Sequence, residues 1–288
     1  HPLAATGIAQ IVECVWQLTG GAPQICVFAG ECFGVYLTVE PTGEVSACDK
    51  YIDDGTYRFG HVLTSGLTGA RLSERLAAVR EGRAVVQDAA SALVAPAVGA
   101  APGDLVADLA AGPGGKAGQL AALGARVLAV ELRPGRARMV RETAARLGVA
   151  GRLHAVVGDG RRPPLRPGTA DAALVDAPCS NLGSLRRRPE ARWRHRPEEV
   201  AGLVALQLEL LQAAADAVRP GGTVVYSVCT WTRAETDGVV DELLRRRPDL
   251  AVDGGIDGGR WQVWPHRDDA DGVYLARLVK TAQPRGSR

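Results

Sequence analysis

An apolar run, Gly103-Asp-Leu-Val-Ala-Asp-Leu-Ala110, passes directly into Ala111-Gly-Pro-Gly-Gly-Lys116, and Ala117 to Leu123 then has helical character. A second strand, Arg126 to Val130, ends in Glu131. A third, Leu153 to Val157, ends at Gly158-Asp159. Strands that alternate with helical stretches at this spacing build a parallel sheet. Strand, glycine turn and helix make the first unit of a doubly wound α/β fold. Glycines let the backbone approach a ligand closely, and the following helix N-terminus adds a positive dipole end. An acid after the second strand suits a ribose hydroxyl pair. The loop from Gly112 to Lys116 is neither Gly-x-Gly-x-x-Gly nor a Walker loop. A plain structural turn there, and solvated strand-end carboxylates at Glu131 and Asp159, remain open at this point.

The later half continues the alternation. Ala84 to Ala95 reads as a helix leading to Pro96. Pro197 opens a long helix to about Val218, which Arg219-Pro-Gly-Gly222 ends. Helical spacing of Val200, Leu203, Val204, Leu206, Leu210, Leu211 and Ala214 supports it. A short strand, Ala172 to Val175, ends at Asp176 and is followed by Pro178-Cys179. Another strand, Thr223 to Val228, ends at Cys229. A helix is expected over Thr232 to Arg246, and closing strands over Trp261 to Pro265 and Gly272 to Lys280.

Two thiols thus fall at the carboxyl ends of separate strands, where open α/β sheets bind ligands. If the two strands are neighbours, Cys179 and Cys229 converge on one pocket beside Asp176. Either cysteine alone could be a buried structural thiol. Cationic surroundings would lower a thiol pKa and raise its thiolate content. Arg186, Arg187, Arg188, Arg192, Trp193, Arg194 and Arg196 form a dense basic stretch with an aromatic in it. Such a stretch can hold phosphates, with Trp193 stacking on a base, or it can be a solvated face.

Net charge over 288 residues is only +2, so basicity matters locally rather than globally. No apolar run approaches the ~18 residues of a membrane span. His1-Pro2-Leu3 offers no basic leader. A cytoplasmic protein with no membrane partner is the expectation. Four of the six cysteines (14, 26, 32 and 48) crowd the first fifty residues, which favours metal or catalytic thiols over a disulfide frame. A hairpin is expected where Val35 to Val39 alternates, Pro41-Thr-Gly43 turns and Glu44-Val-Ser-Ala47 returns. The spacing Cys26-x5-Cys32 with Cys48-Asp-Lys-Tyr51 resembles the first half of the SPASM-type auxiliary iron–sulfur domain of radical-SAM maturases. That resemblance implies Cys26, Cys32 and Cys48 as ligands of a 4Fe-4S cluster.

From about Arg83 to Lys280 the chain resembles RsmB/Sun-type RNA cytosine-5 methyltransferases. The segments that carry the likeness are Val86-Gln-Asp88, Asp108-Leu-Ala-Ala-Gly-Pro-Gly-Gly-Lys116, Asp176-Ala-Pro-Cys179, Arg187-Arg-Pro-Glu190 with Trp193, Gln207, Pro220-Gly-Gly222, Tyr226-Ser-Val-Cys229, Glu235-Thr236 and Asp271-Gly272. The family usually has glycine where this chain has Asn181. It usually has Thr-Cys-Ser where this chain has Val228-Cys229-Thr230, which takes a hydroxyl out of the expected pocket.

The resemblance implies a Rossmann-like class I methyltransferase sheet with helices on both faces, preceded by a small cysteine-rich segment. The implied division is residues 1–80, a methyltransferase domain over 83–280, and a flexible tail over 281–288. S-adenosyl-L-methionine is the implied cofactor, held by Ala110, Ala111, Gly112, Pro113, Gly114, Gly115, Lys116, Glu131, Asp159 and Asp176. Cys229 is the implied nucleophile, Cys179 the thiol that assists product release, and Asp176 a group that could hold the pyrimidine. The implied partner is RNA, ribosomal RNA first, met by a monomer through Arg186, Arg187, Arg188, Arg192, Trp193 and Arg194. A catalytically weak RNA-binding protein on the same fold is the alternative, and a small-molecule methyltransferase a third reading.

Overall fold

The computed structural model describes residues 81–82, 85, 87–185, 197–254, 257–268 and 270–281, together with the strand backbones at 27–28, 37–39 and 45–47. The three early strands are β1 (Val27–Phe28), β2 (Leu37–Val39) and β3 (Val45–Ala47). β2 and β3 pair antiparallel, Leu37 opposite Ala47, so the expected hairpin forms. Cys26, Cys32 and Cys48, the expected cluster ligands, lie outside the described residues, as do Arg186–Arg196 and the tail beyond Thr281.

β4 (Gln87–Asp88) leads into two single-turn helices, α1 (Ala89–Ala92) and α2 (Val94–Ala97), rather than the one helix expected over 84–95. Asp88 caps α1 by accepting from the Ala90 amide at 3.0 Å. Pro96 explains the break: it has no amide to donate to the Ala92 carbonyl one turn back. Gln119 Nε2 donates to that carbonyl instead, at 2.9 Å.

The main sheet follows from β5 (Leu105–Asp108), β6 (Arg126–Glu131), β7 (Leu153–Val157), β8 (Ala170–Asp176), β9 (Val218–Val228), β10 (Leu250–Val252), β11 (Arg260–Gln262) and β12 (Tyr274–Lys280). Its order is β10-β12-β9-β8-β5-β6-β7, with β11 also on β12. All pairs from β9 to β7 are parallel, and β12 runs antiparallel to β9. Residues 219–222 loop out of β9, because Val218 pairs with Ala170 and Thr223 already pairs with Ala172. The expected turn at Arg219–Gly222 is therefore present inside one long strand.

Helices α3 (Gly115–Ala122), α4 (Pro134–Arg146), α5 (Pro197–Ala217) and α6 (Asp237–Arg246) cover the sheet, and a single turn, α7 (Pro265–Asp268), follows β11. The period-two alternation of the strands sorts the core into two layers. Val106, Ala172, Leu174 and Val225 pack with α1 to α4. Ala107, Ala173, Val175, Val224 and Tyr226 pack with α5 and α6. A fully buried Val225 or Leu211 contributes roughly 1.5–3 kcal/mol each by removal from water. The expected class, a Rossmann-like methyltransferase sheet with helices on both faces, is what forms.

By length and composition, α5 could cross a bilayer. Its Leu208, Leu211 and Ala214 are instead buried among Val224, Tyr226 and Leu243. The helix expected from Thr232 begins only at Asp237, because the preceding residues are tied into a polar knot around Glu235. The strand expected over 261–265 is confined to 260–262, with α7 starting at Pro265.

Candidate active site

The strand order reverses between β5 and β8: the chain lays β6 and β7 on one side of β5 and β8 and β9 on the other. Ligands of doubly wound sheets sit outside the carboxyl ends at such a point. Four strand ends meet here, those of β5 at Asp108, β6 at Glu131, β8 at Asp176 and β9 at Val228.

β8 and β9 are in register with Asp176 opposite Ser227. The Ala177 amide donates to the Ser227 carbonyl at 2.9 Å and carries the pairing past the strand end. The segments holding Cys179 and Cys229 therefore leave the sheet side by side. Their Sγ atoms are 3.3 Å apart. The Gly183 amide donates to the Cys229 carbonyl, and the Gly272 amide to the Gly183 carbonyl, each at 2.8 Å. A Cβ on Gly183 would lie 1.8 Å from the Gly272 carbonyl oxygen, so only glycine permits this approach.

Beneath the thiols lies a buried carboxylate, Glu235. It accepts from the Ser180 amide at 2.9 Å, the Ser180 hydroxyl at 2.6 Å, Gln207 Nε2 at 3.1 Å and the Thr232 hydroxyl at 2.9 Å. Gln207 also donates to the Pro178 carbonyl. One carboxylate thus ties both cysteine loops to α5. Glu235→Ala would leave several buried donors without an acceptor. The expected loss is about 3 kcal/mol or more of stability, read as a lower urea midpoint. A loss below about 0.5 kcal/mol, the size of an ordinary surface change, would show that the loops are held by something else.

The thiols are electrically unequal. The hydrogen bond from Cys179 holds Cys229 below its ordinary pKa, with Lys116 assisting against burial and Asp176. The same hydrogen bond, with burial, pushes the Cys179 thiol up. Cys229 is half-buried and Cys179 is 4% exposed. The arrangement favours thiolate character at Cys229 over Cys179.

Asp176 sits between the thiols and the glycine loop. It accepts from Lys116 Nζ at 2.6 Å and from the Ser227 hydroxyl at 2.6 Å. Burial opposes the charge on Lys116, but Asp176 outweighs it and raises the lysine pKa. Asp108, at the end of β5, is fully buried, and burial followed by the nearby Asp176 pushes its pKa up to about 7. A folded-state value above the unfolded one favours the protonated form. Stability from this group is therefore full below about pH 4 and is lost as pH rises through about 7. Asp108→Asn should remove that dependence: the melting temperature of wild type should fall relative to the variant between those pH values. A constant difference would contradict the burial argument.

The glycine loop folds over the end of β6. The Ala111 amide donates to the Val130 carbonyl at 3.1 Å. Glu131 accepts from the Gly112 amide at 2.9 Å through Oε2 and from the Arg133 amide at 2.9 Å through Oε1. Each carboxylate oxygen retains a lone pair for a further donor such as a ribose hydroxyl. Gly112 and Gly114 adopt left-handed φ values of 56° and 92°. A Cβ on Gly114 would press on Val140, whereas one on Gly115 would enter open space. Ala110, Gly112, Gly115 and Lys116 are partly exposed along this cradle, Pro113 is exposed, and Leu132 presents an apolar side chain, 66% exposed, just past Glu131. An open glycine backbone, an acid and an adjoining apolar surface fit an adenosine-bearing cofactor.

Asp159 is placed at the end of β7 beside Glu131, since the Gly158 amide donates to the Glu131 carbonyl. Its carboxylate is gripped by Arg161 at 2.7 Å, which also reaches Glu209. Val228, read as a hydroxyl lost from the pocket, is fully buried in the apolar layer with Val239 and Val240. The same layer also holds Cys179, with Cys229 packed against it. Among the described residues no group of His, Cys, Asp and Glu is arranged to hold a metal ion. The expected RNA-contacting residues Arg186, Arg187, Arg188, Arg192, Trp193 and Arg194 lie outside the described residues.

Sequence reasoning did not assign roles to Asp108, Ser227, Asn181 or Glu235. A charged residue inside an apolar strand marks Asp108, and a break in a glycine position marks Asn181. Glu235 is marked only by the family likeness of Glu235-Thr236, which carried no role for it.

Comparison with known proteins agrees with this geometry. Residues 96–279 match the family model described as 16S rRNA methyltransferase RsmB/F. A putative methyltransferase of Mycobacterium tuberculosis is 48% identical over 222 residues, 71% of this chain and 48% of the relative. The probable ribosomal RNA small subunit methyltransferase B of Bacillus subtilis is 33% identical over 218 residues, 70% of this chain and 48% of the relative. The chain spans about half the length of these curated relatives. The crystal structure of NSun6 from Pyrococcus horikoshii with SFG superposes with a TM-score of 0.64 at 28% identity, over 72% of this chain and 55% of that one. The matched region begins at residue 96 and does not include the early cysteines, so the iron–sulfur resemblance gains no support from it. With its sheet order, its glycine cradle and its match over most of the chain, this protein belongs to the RsmB/F methyltransferase family.

Proposed function

We propose that this chain is the catalytic part of an S-adenosyl-L-methionine-dependent RNA cytosine-C5 methyltransferase acting on small-subunit ribosomal RNA. The observation that carries the proposal is the pair of unequal thiols, 3.3 Å apart, at the ends of adjacent strands. A methyltransferase acting on oxygen or nitrogen needs no sulfur nucleophile. Cytosine C5 does, because it is a poor nucleophile until a thiolate adds at C6. The names of the relatives support ribosomal RNA as the substrate class.

The cofactor, when bound, supplies an electrophilic methyl group on a sulfonium. Ala110 to Lys116 and Glu131 would hold it in the cradle, with Asp159 beside them at the end of β7. Cys229 adds to C6, forming an S–C6 bond and moving the C5=C6 electron pair to C5, which takes the methyl. Asp176, oriented by Lys116 and Ser227, holds the base edge by sharing one proton with N3, since a bare carboxylate and N3 are both acceptors. Once Cys229 is a thioether, the negative sulfur that kept Cys179 protonated is gone. Cys179 can then lose its proton to solvent and accept the C5 proton. The C5–H electrons reform C5=C6, the S–C6 bond breaks, and Cys229 leaves as a thiolate beside a protonated Cys179. The sum is one methyl transferred and one proton released. A cytosine must be unpaired or flipped to enter such a pocket, and the arginines of 186–196 are the proposed phosphate contacts.

The test is transfer of labelled methyl onto small-subunit ribosomal RNA lacking the modification, followed by nucleoside analysis. 5-Methylcytidine is the expected product. RNA retention without transfer would favour a binding protein on the same fold, and label on a small acceptor instead of RNA would overturn the substrate class.

A further inference from the structure

Among the described residues, Asn181 is the one non-glycine residue with a left-handed φ, at 59°. Asparagine tolerates this region better than most residues, at a modest cost. The conformation turns its side chain back onto the two cysteine loops. Its Nδ2 donates to the Cys179 carbonyl at 2.8 Å. Its Oδ1 accepts from the Cys229 thiol at 3.0 Å. The amide cannot be reversed, because that would set Oδ1 against the Cys179 carbonyl oxygen, two acceptors with no proton between them.

We propose that Asn181 is a positioning residue for Cys229, a carboxamide acceptor that holds the nucleophile's sulfur in place and keeps its proton on it until a substrate base displaces the contact. A thiolate offers this oxygen nothing to accept, so the contact selects the thiol form. Cys179 and Lys116 act in the opposite sense. Burial and the carboxylates of Asp176 and Asp271 side with the thiol form, and the balance among all these groups sets how much of Cys229 is reactive at rest. The carbonyl of Cys179 anchors the amide, so the restraint on one cysteine is built on the backbone of the other. A glycine in this position, as the resembling sequences usually have, supplies the backbone turn without the acceptor.

The catalytic meaning of this inference rests on Cys229 being the nucleophile. The thiol chemistry itself is measured without RNA, so its failure is distinguishable from failure of the proposed reaction. The experiment is the pH profile of iodoacetamide alkylation at Cys229 in the full chain, resolved by peptide mass spectrometry. In Asn181→Gly the midpoint should move down by about half to one pH unit, giving roughly three- to tenfold faster alkylation at neutral pH. In Asn181→Asp a carboxylate would face the sulfur, and the midpoint should move up. A purely structural role in the loop would move neither midpoint, or both in one direction, and either result overturns the proposal. Should Asn181→Asp fail to fold, Asn181→Gly decides alone: glycine keeps the left-handed turn, and an unmoved profile overturns the assignment.

Discussion

Cys229→Ala is expected to lower methyl transfer onto ribosomal RNA by on the order of a thousandfold or more, with cofactor binding retained. Without a sulfur adding at C6, the C5 carbon stays aromatic and cannot attack a methyl group at a useful rate. The glycine cradle, Glu131 and the Lys116–Asp176 pair do not depend on the Cys229 side chain. Equilibrium binding of labelled cofactor should therefore remain within a fewfold of wild type. Single-turnover incorporation into RNA separates the chemical step from product release. A variant that transfers methyl at the wild-type rate would remove Cys229 from the nucleophile's role.

Replacing the other sulfur has a different signature. Cys179→Ala leaves Cys229 able to attack and the methyl able to transfer, but takes away the group that accepts the C5 proton. The adduct then has no efficient route to collapse. The expected result is a protein–RNA species that survives denaturing electrophoresis, with turnover reduced by about 10²- to 10⁴-fold. Cys179→Ala combined with Cys229→Ala should show no such species, because the bond to RNA is made by residue 229. Wild-type turnover by Cys179→Ala, without a trapped band, would assign proton removal elsewhere. Loss of Cys179 also removes the hydrogen bond that favours the Cys229 thiolate, so the attack step itself should slow at neutral pH and recover in alkali.

The two cysteines illustrate where each kind of information resides. That Cys179 and Cys229 follow strands is written locally, in short apolar runs bounded by proline, glycine and polar residues. That their sulfurs come within hydrogen-bonding distance depends on β8 and β9 being adjacent, parallel and in register at Asp176 and Ser227. A shift of one residue would send one sulfur to the opposite face.

The sequence by itself determined the alternating α/β grammar, the glycine cradle, the acid after the second long strand and the two thiols that follow strands. These are short-range properties: the period of apolar residues, the backbone freedom of glycine and the intrinsic chemistry of a thiol. Tertiary structure decided the rest. It split the helix expected at 84–95 at Leu93, where Pro96 has no amide for the Ala92 carbonyl and Gln119 from α3 donates instead. It turned Val228 into the core, buried Glu235 under both cysteine loops and brought Asn181 onto Cys229. Each of these is a contact between residues 27 to 55 positions apart, except where Val228 simply follows the strand's alternation. Local propensity carries no record of such partners, because their energies exist only once the sheet has set the distances between them.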